Sequence, residues 1–327
     1  MPDSAALRET GEVAVVPAGS RVTVLRELWD EHAHEWIAWV RSPDKPDTYW
    51  QFHRERFLEL VPGAGRLTLD IGCGEGRVAR DLKRRGHRVL GVDWSEAMCK
   101  AAKTYHDEST RVVMGDAARL PLADGTVDCA VAFMSLQDID DLDGAIKEIA
   151  RVLKDGEKLA LAIVHPMYST GKFSSTENSG TGFVLSRPYF EAQLCVSEDS
   201  RDGLKVTFFR EHRPLQAYVH ALINAGFNIE QLHEVTDEDK RSERHRVPMF
   251  LDIVAVRRPR EKKESSVDRP RIVSRLPGRS VFSRDRSAEN LNYSGNSRSS
   301  SWLGLLVTGA VLSGIVVTTV MALFASH

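Results

Sequence analysis

The chain has 327 residues, 42% of them hydrophobic, 28% charged and 7% aromatic. That is the balance of an ordinary folded protein, with more length than one minimal domain needs. The formal net charge of −2 makes no case for nucleic acid as the main partner. The four cysteines, Cys73, Cys99, Cys129 and Cys195, form no CxxC and no Cys/His cluster at zinc spacing, which points to reduced thiols, a cytosolic domain and no metal.

Residues 1–20 read as a flexible N-terminus, and "MPDSAALRETGEVAVVPAG" lacks the basic start and apolar core of a signal peptide. A helical cap is expected over residues 21–62. Leu28, Trp29, Ala33, Trp36, Ile37 and Val40 recur at steps of mostly three and four, as on one amphipathic helix. Asp47 is placed to cap a second helix, in which Tyr49, His53 and Phe57 share a face. Trp29, Trp36, Trp39 and Trp50 fall within 22 residues, fit to pack the cap and also to line a substrate wall.

From residue 63 short apolar runs alternate with helical patterns. "RLTLDIG", "HRVLGVDW", "TRVVMGDA", "VDCAVAFMSL" and "EKLALAIVHP" read as strands. "GRVARDLKRRG", "SEAMCKAAKTYH" and "LDGAIKEIARVLKDG" read as helices, with Ser95 capping the second. This alternation predicts an α/β fold, a Rossmann-like, doubly wound and mostly parallel seven-stranded sheet with helices on both faces. Its ligand then belongs at the carboxyl ends of the strands. Residues 167–213, rich in Ser, Thr and Gly with strand-like "GFVLS" and "LKVTFF", read as a lid or acceptor insertion over those ends. The alternation resumes through "PLQAYVHALINAG", "FNIEQLHEV" and "MFLDIVAV" to residue 256.

Residues 257–301 read as a basic disordered linker. Residues 257–300 hold 12 Lys/Arg against 5 Asp/Glu, net +7, while the rest of the chain is net −9. Trp302–Phe324, "WLGLLVTGAVLSGIVVTTVMALF", is an uncharged run of 23 residues, long enough for a transmembrane helix. The arginines on its N-terminal side favour that side, with the α/β domain, remaining cytoplasmic. The expected localisation is therefore a membrane anchored by a single C-terminal helix. Gly309 and Ser313 stand four apart, a small-xxx-small spacing compatible with a homodimer.

In "LTLDIGCGEGRVARDL" a strand ends in Asp70 and three glycines follow within five residues. Dinucleotide turns read G-x-G-x-x-G, but Gly72, Gly74 and Gly76 give G-x-G-x-G, with Arg77 at the position the dinucleotide pattern needs. An acid two residues before the turn is unfavourable beside phosphate and suits an ammonium or sulfonium group. The ligand is therefore expected to be cationic.

"LDIGCGEG", "GVDWS", "GDAARLPLADGTVDCAVAFMSL" and "EIARVLKDGEKLALAIVHP", in this order and spacing, resemble the class I S-adenosylmethionine-dependent methyltransferases, in particular the type-11 group of small-molecule enzymes. The resemblance covers Leu67–Pro166 strongly and continues loosely to Val256. It implies S-adenosyl-L-methionine as cofactor. Gly72, Cys73, Gly74 and Gly76 then form the turn under its amino acid part, with Asp70 linked to the ammonium. Asp93 accepts both ribose hydroxyls, Trp94 packs on the adenine, Asp116 accepts the adenine amino group, and the Ala117 N–H faces the ring. The backbone near Phe133 and Met134 closes the methionine side. Where such families read K-P-G-G, this chain has Lys154-Asp155-Gly156-Glu157, at a turn away from the cofactor.

A base is needed only where the acceptor loses a proton. His165 in "IVHP" is the first candidate, with a strand-end histidine bonded to the backbone as the alternative; His53 and Tyr49 follow. His212 and Arg213 are expected to orient the lid or bind an acidic group. The implied function is methyl transfer to a small-molecule or lipid-like acceptor, such as a quinone, an isoprenoid or a lipid headgroup, at a membrane surface. The alternatives are a catalytically silent cofactor-binding scaffold and an aminopropyl-type transferase on the same fold. The last would use Asp138, Asp140, Asp141 and Asp143 as a diamine site, a run that also suits the start of a helix.

Overall fold

The computed structural model describes residues 24–42, 47–104, 111–176, 180–201, 203–240 and 242–260. The chain begins with α1 (Val24–Glu31) and α2 (Ala33–Val40), then a π-helical turn, Tyr49–His53, running into α3 (Arg54–Leu60). The alternating part follows as β1 (Thr68–Ile71), α4 (Arg77–Arg84), β2 (Val89–Asp93), α5 (Glu96–Thr104), β3 (Arg111–Met114) and β4 (Val127–Phe133). A 3-10 turn, Leu136–Asp138, leads to α6 (Leu142–Val152) and β5 (Leu153–Val164). Next come α7 (Pro166–Thr170), β6 (Gly171–Thr176), β7 (Gly180–Leu185), β8 (Gln193–Arg201) and β9 (Leu204–His212). The domain ends with α8 (Leu215–Asn224), β10 (Phe227–Val235) and β11 (Phe250–Arg257).

Seven strands form one sheet in the order β10-β11-β5-β4-β1-β2-β3. The pairs β1–β2, β1–β4, β2–β3 and β4–β5 are parallel, while β11 runs antiparallel to both neighbours. The strand order reverses between β1 and β4, which opens a crevice at the carboxyl ends of the strands.

Period-2 alternation divides the core between the two faces. On β5, Leu159, Leu161 and Ile163 pack on one side with Ile146, Ile149 and Leu222. Ala160 and Ala162 face the other side with Phe57, Leu58 and Leu82. On β11, Leu251 and Ile253 join the first cluster. Asp252 between them points the opposite way, opposite Ala162 in the register.

The one amphipathic helix expected to carry Leu28 through Val40 is two helices. The chain turns at His32 (φ −96°, ψ 9°), whose Nδ1 lies 2.9 Å from Glu35 Oε1. That break lets Glu35 accept the Thr207 N–H of β9 at 2.9 Å and lets Trp29 donate to the Phe209 carbonyl at 3.0 Å. The helical cap is thereby fastened to the β8–β9 hairpin, which covers the strand ends. Residues 167–213 contain β6 and β8 as well as the two strands read from sequence; "QLCVSEDSR" on β8 is too polar to announce itself.

The domain runs slightly past residue 256. Arg257 donates from Nε to the Ala150 carbonyl at 2.9 Å, and the Arg260 N–H meets Asp155 at 3.0 Å. The expected flexible N-terminus, nearly all of the basic linker and the transmembrane helix at 302–324 lie outside the described residues. Among the described residues, no helix is long and apolar enough to cross a membrane.

Candidate active site

The turn after β1 is built around left-handed glycines. Gly72 (φ 62°) could not carry a side chain, since a Cβ there would meet Ser135 Cβ at 2.5 Å, and Gly76 (φ 85°) caps α4 in the same conformation. The N–H groups of this turn are largely engaged inside the protein. Gly72 and Cys73 donate to the Val92 carbonyl at 2.8 and 3.1 Å, and Gly76 donates to the Cys73 carbonyl at 3.0 Å. Gly74 donates to Asp93 Oδ2 at 2.8 Å. A phosphate site aims such groups outward at the anion; here they are turned inward and two carboxylates stand beside them.

Those carboxylates are Asp70 and Asp93. Asp70 is 1% exposed, and its Oδ2 has no hydrogen-bond partner. Burial, with Asp93 nearby, pushes its carboxyl up to about 8. Asp93, at the end of β2, accepts from Gly74 at Oδ2 and from Ser95 N–H at Oδ1, 3.0 Å. Burial holds its pKa above the ordinary range despite those bonds. Both line a cavity of about 2130 Å³ at the carboxyl ends of the strands. The Cys73 thiol turns away to pack with Cys99, Ala102 and Val112. Burial raises its pKa well above the usual thiol range, so its backbone shapes the turn.

Further along the same cavity lie Trp94, Asp116, Ala117, Phe133 and Met134. Met134 has φ 55°, the one non-glycine residue with positive φ among the described residues. That conformation turns the chain sharply where β4 meets the cavity. At the Trp94–Asp116 end, α1 intrudes. Arg26 pairs with Asp116 at 2.8 Å, and its guanidinium sits over the Trp94 ring, 4.5 Å from the centroid.

The cavity also has aromatic walls. Trp29, Trp36 and Trp39 of the cap line it, while Trp50 is 46% exposed. His53 also lines it, stacked on Phe250 at 4.6 Å and against Phe133 at 5.0 Å.

Comparison with known proteins agrees with this geometry. Residues 69–161 match a family described as a methyltransferase domain. The fold is shared with the crystal structure of an S-adenosylmethionine-dependent methyltransferase from Mesorhizobium loti, at TM-score 0.53 and 22% identity, covering 62% of this chain and 96% of that one. Residues 69–161 form a methyltransferase domain. A demethylmenaquinone methyltransferase of Corynebacterium kroppenstedtii is 33% identical over 128 residues, 38% of this chain and 54% of that protein. A malonyl-[acyl-carrier protein] O-methyltransferase of Pectobacterium atrosepticum is 36% identical over 109 residues, 33% of this chain and 43% of that protein. The chain thus spans about half the length of the curated relatives it matches.

The cofactor implied by a class I methyltransferase domain is S-adenosylmethionine, and the residues present fit it. The orphaned Asp70 oxygen suits a buried cation, the Gly72–Gly76 turn brings backbone close, and the Asp93 carboxylate keeps lone pairs for two further donors. At the Trp94–Asp116 end, where the sequence resemblance puts the adenine, the guanidinium of Arg26 lies over Trp94 and pairs with Asp116.

The three base candidates part company. His165 does not line the cavity. It caps α7, with Nδ1 accepting the Met167 N–H at 3.1 Å and Nε2 3.1 Å from Glu234, and burial lowers its pKa. That geometry is the one expected of the alternative, a strand-end histidine bonded to the backbone: Pro166 stands at the first helical position and His165 is the N-cap. Tyr49 lines the cavity, but its hydroxyl donates to Asp81 Oδ2 at 2.6 Å. Burial, with the Asp81 charge beside it, raises its pKa far above the ordinary phenol, so it keeps its proton. His53 remains, with Nε2 2.8 Å from Asp252 Oδ1.

The four acids near β4 do not converge on one site. Asp141 caps α6 by accepting from Gly144 at 2.9 Å, and Asp140 accepts the Leu25 N–H at 3.2 Å. Asp138 lines the cavity, and burial raises its pKa well above the carboxylate range. His212 ties the lid together, 2.7 Å from Ser169 Oγ and 2.8 Å from the Tyr189 carbonyl. Arg213 donates to the Ile139 and Asp140 carbonyls at 2.7 and 3.1 Å. Asp252 and Arg26 were missed by the sequence reading. A single acid inside the apolar run "MFLDIVAV" was the available signal for Asp252, since a buried charge needs a partner. Nothing local announces Arg26.

Proposed function

We propose that this protein transfers the methyl group of S-adenosylmethionine to a small-molecule or lipid-like acceptor held against the aromatic walls of the cavity. The observation that carries this reading is Asp70: a buried carboxylate oxygen without a partner, beneath a glycine turn whose N–H groups are mostly committed inward. When bound, the cofactor supplies a methyl group on a sulfonium, so an acceptor lone pair forms the new bond to carbon as the S–C pair returns to sulfur. The residues of this chain hold the two partners in line and exclude water. Asp70 and the Gly72–Gly76 turn take the amino acid part, Asp93 the ribose, and Trp94 with Asp116 the adenine.

The relatives are named for different acceptors, demethylmenaquinone and malonyl-[acyl-carrier protein], and the chemistry of the cavity walls distinguishes acceptors where those names do not. Its tryptophan and phenylalanine walls suit a planar apolar body. A membrane surface as the place of encounter is supported by Leu185 and Phe190 of the lid segment, 54% and 76% exposed, and by the uncharged run 302–324, which we propose as the anchor.

The test is label transfer. Full-length protein is incubated with methyl-labelled S-adenosylmethionine and an extract of its own cells, beside Asp93→Ala. Label in an organic or aqueous fraction, absent from the variant, is the expected result; no label in any fraction with cofactor binding intact would favour a silent scaffold.

Arg26 gives a second expectation. Its ion pair with Asp116 and its place over Trp94 compete with the adenine. Removing them relieves about 1 kcal/mol of competition, a sum of modest ion-pair and cation–π contributions. Arg26→Ala should therefore tighten S-adenosylmethionine binding by about fivefold, measured by titration calorimetry. Weaker binding would mean that Arg26 itself contacts the cofactor.

A further inference from the structure

We infer that His53, positioned by Asp252, is the proton acceptor for a hydroxyl-bearing acceptor, of the phenol or enol class. The inference rests on the methyltransferase reading and deepens it by naming what the acceptor must give up.

Both side chains are 1% exposed and lie 2.8 Å apart. Facing a carboxylate, which only accepts, Nε2 donates, and the lone pair is left on Nδ1. Nδ1 has no hydrogen-bond partner among the described residues, although the residue lines the cavity. Nδ1 is thereby an acceptor left free for a donor in the cavity.

The fold places this pair with care. Phe250 lies opposite Val164 at the end of β5, so the start of β11 shares the edge at which the cavity opens. Two residues in, Asp252 emerges on the face where Ala162 leaves room. His53 comes from the π-helical turn, whose wider spacing is common at functional sites. Phe250 and Phe133 fix the plane of its ring. The groups packed around it are Asp252 from β11, the phenyl rings of Phe250 and Phe133, and on its own turn Phe52 and Tyr49, whose hydroxyl is given to Asp81.

An acceptor that is already a free lone pair, such as a thioether or a tertiary amine, has no use for such a pair. A hydroxyl does. Its O–H bond breaks, the electron pair stays on oxygen, and the proton forms an N–H bond at Nδ1. The resulting imidazolium lies against the Asp252 carboxylate. Asp252 is a positioning residue: it fixes the tautomer and balances the charge.

The test uses 4-nitrophenol, whose phenolate absorbs at longer wavelength than its neutral form, with the full-length protein about one pH unit below the ionisation of the free phenol. The expected result is a phenolate spectrum for the bound probe with the wild type. His53→Gln should lose at least about tenfold in bound phenolate, and Asp252→Asn should show a smaller loss in the same direction. S-adenosylmethionine affinity, unchanged within about twofold, reports that the variants are folded. A neutral spectrum in the wild type, no binding of the probe, or a phenolate signal unchanged in folded His53→Gln would overturn the assignment. Because this readout needs no turnover, its failure is distinct from an absence of label transfer, which bears on the proposed function.

Discussion

Asp93→Ala should lower the affinity for S-adenosylmethionine by at least about 100-fold, equivalent to roughly 2.8 kcal/mol, as measured by titration calorimetry. Two contributions combine. The carboxylate is the proposed acceptor for two ribose hydroxyls, and hydrogen bonds to a charged acceptor contribute about 1.5–3 kcal/mol each. It also holds the site together, because Oδ2 fastens the Gly74 N–H of the turn and Oδ1 the Ser95 N–H that precedes α5. Alanine leaves both donors without that partner, so a fall in melting temperature should accompany the lost affinity. Asp93→Asn should behave almost as badly, although it is isosteric. Both oxygens accept in the native site, and an amide must present an NH2 to one of the two N–H groups. A variant that binds the cofactor within threefold of wild type would remove Asp93 from the site.

What the sequence disclosed and what it concealed follow from the range of the interactions. The G-x-G-x-G turn is legible because a left-handed backbone is a local demand that few residues besides glycine meet. The alternation of strands and helices is legible because period 2 and period 3.6 are local as well. The direction of β11 was not legible, since an apolar strand reads alike in either orientation. Nor was the break at His32, which is set by what Glu35 and Trp29 find on β9. The histidines show the same division. His165 and His53 are each a histidine near an aromatic or apolar run, and the strand-end position made 165 the more attractive. The Pro166 that follows was the local sign of a cap. The partner that distinguishes His53 lies 199 residues away, beyond the reach of spacing arguments. Arg26 belongs to the same class: its contacts with Asp116 and Trp94 exist only once α1 is laid across the strand ends.

Asp70→Asn should move stability and cofactor affinity in opposite directions, and the sign of each follows from one proton. In the cofactor-free protein burial keeps the Asp70 carboxyl protonated up to about pH 8, whereas an unfolded chain releases that proton near pH 4. Between those values the unfolded state binds fewer protons than the folded one, so Asp70 makes stability fall as pH rises, and the loss is complete above about pH 8. Asparagine has no proton to lose. The variant should therefore melt higher than wild type at pH 8 and approach it near pH 4, as followed by thermal denaturation. Affinity runs the other way. A cation beside Asp70 requires the carboxylate, so binding expels its proton, and wild-type affinity should rise by up to about tenfold per pH unit below pH 8. The α-amino group of the cofactor itself titrates near pH 8, so the curve should turn over there. Asp70→Asn should lose the rising limb and bind weakly throughout, by roughly 100-fold or more at pH 8, the scale of a buried ion pair left with one partner. A more stable protein with a flat, weak binding curve is the signature of a carboxylate placed for a cation. If the variant is destabilised and its affinity is unchanged, Asp70 supports the fold and the cation lies elsewhere.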